Sequence, residues 1–216
     1  MTIRMTLRCT GVPIDLRGVS ASRLLQRGGD CPCRIDDVVA PIGDAFEIDI
    51  ASDGPSKRRI EIFGDDLSDV HRVGGAGDDD ATGIDGDEIW VAGAVGAMTG
   101  HRMRRGLIVV AGDAGDCTGA NMIAGTILVA GRVGDHAMAG ARRGTLITGH
   151  PPTLSPHAWT RPVRCENHWL NYFANAIDVP DEGFTEFSDA LQRMARGAVH
   201  RRGDRVVDGL AEIIYC

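Results

Sequence analysis

Short apolar runs recur through the middle of this chain at one fixed interval. Ile89-Trp90-Val91, Ile108-Val109-Val110 and Ile127-Leu128-Val129 open three segments of 19 residues, 88–106, 107–125 and 126–144, that overlay without a gap. They read EIWVAGAVGAMTGHRMRRG, LIVVAGDAGDCTGANMIAG and TILVAGRVGDHAMAGARRG. A unit this short cannot bury its own apolar face, so a period of this size predicts a solenoid of stacked coils. Glycine falls at three places in every copy: Gly93, Gly112 and Gly131; Gly96, Gly115 and Gly134; Gly106, Gly125 and Gly144. Glycine tolerates positive φ and close approach of chains, and both suit sharp corners between stacked strands. Rungs would lie about 4.8 Å apart, the usual strand separation. Met103, Met122 and Ala141 form a further ladder on another wall.

The same pattern divides the chain into three zones. Residues 1–58 mix strand-like runs (5–9, 13–16, 45–50) with turn signals and a short helix at 21–26, and form an N-terminal α/β capping segment. Residues 59–149 carry the β-helix, with Ile60, Ile62 and Gly64 as an early rung and corner, and 145–149 as a coil cut short. Four to five coils are expected. Residues 150–216 leave through a proline-rich exit, pass an irregular stretch around 169–173, form a helix near 184–196 and end in a closing strand at 211–215. Phe184, Phe187, Leu191 and Met194 have helical spacing and Gly197 is the stop. The fold class is mainly β: a single-stranded parallel (right-handed) β-helix with an N-terminal capping segment and a C-terminal extension containing a helix.

The outward positions of the rungs carry a second pattern. A solvated wall alternates apolar-in and polar-out, yet Trp90, Val109, Leu128 and Ile147 are all apolar. Something must cover this wall: the chain's own C-terminal helix, or another protein docking at Trp90.

Composition narrows the function. Of 216 residues 43% are hydrophobic and 5% aromatic, and the formal charge is -7, which predicts neither nucleic-acid nor membrane-surface partners. No run approaches the roughly 20 apolar residues needed to span a bilayer, and the start has no signal-like core, so a cytoplasmic protein with reduced thiols is expected. Lys57 is the one lysine among 23 basic residues.

Candidate chemistry is sparse. Cys31-Pro32-Cys33 is too tight for a usual zinc knuckle, and His101, His136, His150, His157 and His168 form no metal-ligand spacing. Ser155 and Ser188 have no nucleophile-elbow context. Gly-Asp pairs at 112–113, 115–116 and 134–135 lack the nine-residue period of calcium β-rolls, so these aspartates are expected to satisfy turn backbone groups. Arg102, Arg104 and Arg105 stand two coils from Arg142 and Arg143, a broken basic ridge interrupted at Ile123 and Ala124. This ridge is a candidate docking place for an acidic partner surface or an anionic carrier. No catalytic, cofactor-binding or metal-ligating residue is assigned to this chain.

At these residues the chain resembles the C-type subunit of formylmethanofuran dehydrogenase, and most of all its counterpart in the bacterial formyltransferase/hydrolase complex. The G-x-x-G-x-x-x-G wording of 112–119 carries the likeness, as do the entry segment GDDLSDVHRVG at 64–74, PIGDAFEI at 41–48 and GDRVVDGLAEII at 203–214. The pattern departs at 76–87, where an acidic, glycine-broken stretch replaces a tidy coil, and at Ala211, where the closing motif has glycine. The resemblance implies a structural subunit in one-carbon metabolism, with formyl groups carried on methanofuran-type and tetrahydromethanopterin carriers. It implies amidohydrolase-like, formyltransferase-like and molybdopterin-subunit-like partners. In the dehydrogenase version a molybdenum or tungsten pterin and iron–sulfur clusters sit on other subunits. Two other readings compete. A β-helix resembling that of the glutamate synthase large subunit would link catalytic modules in nitrogen metabolism. A hexapeptide-repeat acyltransferase would need coils in multiples of six, which 19 is not.

Overall fold

The computed structural model describes residues 88–165, 168–177, 179 and 184–216, together with the backbone of six earlier strands. These six are β1 (Thr2–Arg8), β2 (Ile14–Asp15), β3 (Cys33–Val39), β4 (Ala45–Ala51), β5 (Arg59–Phe63) and β6 (Val70–His71). The helix expected at 21–26 and the acidic stretch 76–87 lie outside the described residues. β3, β1, β4 and β6 form a four-stranded sheet in that order, with β1 antiparallel to β3 and parallel to β4.

The repeat becomes a parallel β-helix. β7 (Glu88–Val91), β8 (Leu107–Val110), β9 (Thr126–Val129) and β10 (Thr145–Thr148) stack in parallel, and Ile89, Ile108, Ile127 and Leu146 fall in one register row. Each rung shows the same burial pattern, one half-buried residue followed by three buried ones. A second wall is reduced to bridges linking Val95, Ala114 and Val133. Where four to five coils were expected, three complete ones lie among the described residues, with further rungs stacked on either side. Below them β5 pairs with β7, Arg59 opposite Glu88, and β2 pairs with β5.

The rung above β10 comes from far along the chain. β13 (Ala211–Tyr215) lies parallel to β10 with Thr145 opposite Glu212, so the strand expected to close the chain does so as a coil step. Between them the chain forms β11 (Val163–Cys165), α1 (His168–Ala176), α2 (Thr185–Arg196) and β12 (Ala198–Gly203). β12 and β11 continue the same sheet in antiparallel fashion. The stretch around 169–173, expected to be irregular, is helical. Leu170, Phe173, Ala174 and Ile177 sit at positions i, i+3, i+4 and i+7, and all belong to the apolar cluster that α1 helps build.

The three glycine rows do different work. Gly106, Gly125 and Gly144 have φ of 92°, 105° and 101°, the left-handed region that side chains avoid. Gly112 does not; a Cβ there would sit 2.6 Å from the Ala94 nitrogen and 2.8 Å from the Gly93 carbonyl carbon. The row is glycine because successive coils touch backbone to backbone. Other left-handed corners are held by ordinary residues: Met98, Cys117 and His136 in one row (φ 61°, 59° and 59°), and Arg102 and Asn121 in another. The repeat pattern suggests wall filling or a surface position for Cys117; the structure makes it a corner. Left-handed backbone costs an L-residue roughly 1–2 kcal/mol, against about 0.5–1 kcal/mol of extra chain entropy for glycine. Met98→Gly is therefore expected to raise unfolding stability by roughly 0.5–1 kcal/mol in urea denaturation. Met98 is 45% exposed, so little packing is lost with its side chain.

Polar corner atoms serve the stack. Asp113 Oδ1 accepts from the Arg132 backbone N–H at 2.7 Å and Asp116 Oδ1 from that of Asp135 at 2.8 Å, each reaching one coil onward. Buried Thr99 and Thr118 donate their hydroxyls to the Gly96 and Gly115 carbonyls. The Gly-Asp pairs at 112–113 and 115–116 thus satisfy turn backbone, as their spacing suggested.

Candidate functional site

Two surfaces of the coil are candidates, and the structure treats them oppositely. The apolar wall is closed. Trp90, Val109, Leu128, Ile147 and Ile214 form one register row, all but fully buried, beneath Leu170, Phe184, Phe187, Leu191 and Met194. The Trp90 ring meets Phe184 edge-on at a centroid distance of 5.3 Å and Phe187 at 5.9 Å, and the two phenylalanines meet at 6.0 Å. Trp90 has no exposed surface, so it is removed from the docking candidates. The amphipathic α2 supplies the cover because its apolar stripe has nowhere else to bury.

The basic ridge is open. Arg102, Arg104, Arg105, Arg142 and Arg143 are all exposed along one corner of the coil. The alternation follows from the fold: Met103, Met122 and Ala141 point inward at 1%, 0% and 0% exposure, which turns their arginine neighbours outward. Ile123, 38% exposed, lies in the row between Arg104 and Arg142. Away from the ridge, Glu212 contacts Arg202 at 3.2 Å and His200 at 3.4 Å.

Beyond the ridge a strap finishes the corner that the fourth coil leaves incomplete. Asp204, 7% exposed, accepts from the Gly140 N–H through Oδ2 (3.0 Å) and from the Val206 N–H through Oδ1 (2.9 Å). The backbone N–H of Gly209 bonds the Asp204 carbonyl at 2.7 Å, and that of Leu210 bonds the Arg142 carbonyl at 2.7 Å. A short 3₁₀ turn, Arg205–Val207, and a left-handed Asp208 shape the strap. Sequence reasoning does not find this element. Its signal is the Gly203-Asp204 … Asp208-Gly209 framing, turn chemistry at both ends of a short loop.

Under the strap lies an open cavity of about 440 Å³, lined by Asp135, His136, Thr153, Leu154, Ser155, Trp159, Asp204 and their neighbours. Both Asp204 oxygens are engaged by backbone N–H groups, so this carboxylate is committed to the strap. The Asn121 side-chain amide nitrogen and His101 Nε2 lie 3.3 Å apart across one coil, a corner contact. Among the described residues no three His, Cys, Asp or Glu side chains gather in a group that could hold a metal ion. Cys117 and Cys216 are free thiols. Burial pushes the Cys216 thiol above its usual range, with Arg193 acting against it, and an unactivated thiol is a poor nucleophile. Cys31, Cys33 and His168 have no described side chains.

The fold and surfaces define a class: a parallel β-helix whose apolar wall is sealed by its own helices and one corner of which displays arginines. The sequence matches no protein-family model and no curated protein. The fold is similar to a chain in the crystal structure of the formyltransferase/hydrolase complex from Methylorubrum extorquens in complex with methylofuran. The TM-score is 0.57 and the sequence identity 21%, and the match covers 100% of this chain and 99% of that one. Among the described residues no helix is long and apolar enough to cross a membrane.

Proposed function

We propose that the chain is a non-catalytic, structural subunit of a formyltransferase/hydrolase-type complex in one-carbon metabolism, equivalent to the C-type subunit. The observation carrying this reading is the reach of the structural match. A shared coil repeat alone would account for little more than residues 88–148, yet the likeness runs over 100% of this chain and 99% of the other. It therefore takes in both terminal zones as well as the solenoid. The motif likeness at 41–48, 64–74 and 203–214 supports the same assignment from outside the repeat.

The non-catalytic role is supported by where polar groups are used. Asp113, Asp116, Thr99, Thr118 and Asp204 all serve backbone partners, which leaves little convergent chemistry around the coil. In this reading amidohydrolase-like and formyltransferase-like subunits, with a molybdopterin-subunit-like one, carry the formyl group on methanofuran-type and tetrahydromethanopterin carriers. The assembly works in the cytoplasm, without nucleic acid or membrane.

The test is native isolation of the tagged chain from its own cells, followed by mass spectrometry and a formyl-transfer assay. Recovery with those subunits is expected, with carrier-dependent turnover in the complex and none in the isolated chain. A chain that runs alone as a monomer, or that turns over by itself, overturns the reading.

A further inference from the structure

The strap and the ridge are one surface. Extending the register in which Thr145 faces Glu212 places Leu210 beside Arg143, so Arg105, Ala124, Arg143 and Leu210 form a single outer row. Val206 is 75% exposed, Leu210 66% and Val207 42%, three large apolar side chains on one short loop. Single exposed apolar residues are ordinary, but a cluster held in fixed positions marks an interaction surface. This cluster is fixed: Asp204 binds Gly140 and Val206, Leu210 binds Arg142, and the Arg205 N–H bonds the Ala158 carbonyl at 2.9 Å. A loop tied to the rest of the chain at three points, Gly140, Arg142 and Ala158, has already lost much of the entropy that binding would otherwise remove.

Charge defines what fits. Arg142 and Arg143 adjoin the apolar cluster at Leu210, Ile123 lies in the row between Arg104 and Arg142, and rows two rungs apart put like charges about 10 Å from each other. The exposed charges in the strap, Arg205 and Asp208, are of opposite sign. We infer that the strip formed by Arg104, Arg142, Arg143, Val206, Val207 and Leu210 is the docking surface for an acidic segment of a neighbouring subunit, one whose apolar side chains seat on the strap. This rests on the chain being a member of that complex and identifies where the complex grips it. Carboxylates neutralise the arginines and steer the encounter, while the apolar trio supplies the dehydrated centre of the contact.

The experiment co-expresses differently tagged wild-type and variant chains in the native cells and measures their ratio in the purified complex. The variants are Arg142→Glu/Arg143→Glu and Val206→Asp/Leu210→Asp, each checked by thermal melting of the isolated chain. A folded variant under-represented about tenfold or more is expected in both cases. A photo-crosslinker at position 206 of the wild-type chain should capture an Asp/Glu-rich peptide of another subunit. Equal incorporation of both folded variants, or a crosslink to a second copy of this chain, overturns the inference. A wild-type chain that assembles with nothing instead removes the proposed membership in the complex, and the strip's role with it.

Discussion

Trp90→Ala is expected to lower the unfolding free energy by about 3–5 kcal/mol, the range for deleting a large buried aromatic. Trp90 is fully buried, and its ring touches both Phe184 and Phe187 edge-on. Edge-to-face pairs add about 0.5–1.5 kcal/mol each beyond area burial, so the alanine variant loses two such contacts as well as volume. The damage falls where the helix meets the coil. Limited proteolysis should cut α2 sooner in the variant, and the newly exposed Val109, Leu128 and Ile147 row should promote aggregation. Urea denaturation followed by far-ultraviolet circular dichroism reads the free energy. Tyr172→Ala on the exposed side of α1 is the comparison, with a shift within about 0.5 kcal/mol, since Tyr172 is 74% exposed. A Trp90 variant as stable as the wild type would mean that the wall is not sealed by the chain's own helices.

Gly112→Ala is the second large effect. Its added methyl would lie 2.6 Å from the Ala94 nitrogen and 2.8 Å from the Gly93 carbonyl carbon, both backbone atoms of the coil below. Backbone cannot rotate aside as a side chain can, so the coils must separate. Parting them strains the hydrogen bonds from Gly112 to the Gly93 carbonyl and from Gly131 to the Gly112 carbonyl, each 3.1 Å long. The expected loss is about 3 kcal/mol, the upper end for overpacking. Gly197→Ala, where an added methyl meets nothing within 4 Å, should change stability little. Equal effects from the two substitutions, measured by urea midpoint, would refute backbone contact as the reason for the glycine row.

Much of the coil was legible because its residues report on their own neighbours. A parallel stack in exact repeat puts equivalent residues against one another, so Ile89, Ile108 and Ile127 predict a ladder without any knowledge of the rest of the chain. The apolar outer row likewise announced that a cover was required. What covered it was undecidable at that level, since a helix face and a foreign surface satisfy the same burial. The glycines were legible as corners, but sequence could not separate positive φ at Gly125 from backbone crowding at Gly112. It also could not find the left-handed Met98 and Cys117, because nothing in either side chain favours that conformation.

The candidate surface was half legible. The arginines stood out as a ridge from spacing alone, whereas the strap did not. Its residues come 60 to 70 positions after the corner they complete, as the Leu210 to Arg142 and Asp204 to Gly140 hydrogen bonds show. The α1 helix escaped notice for a related reason: Leu170, Phe173 and Ile177 are periodic, but their helix is short and settles against Phe184 and Leu191.

By itself, then, the sequence determined the period, the rungs, the inward ladders and the need to cover one wall. Those depend on contacts between residues a fixed 19 positions apart, and a repeat encodes them directly. The tertiary structure alone decided that β13 is the next rung after β10, that α2 seals Trp90, and that the strap brings Leu210 beside Arg142 and Arg143. Each of these joins segments with no periodic relation. They meet because an unfinished coil end leaves backbone groups and apolar side chains that must find partners, and the returning chain is what supplies them.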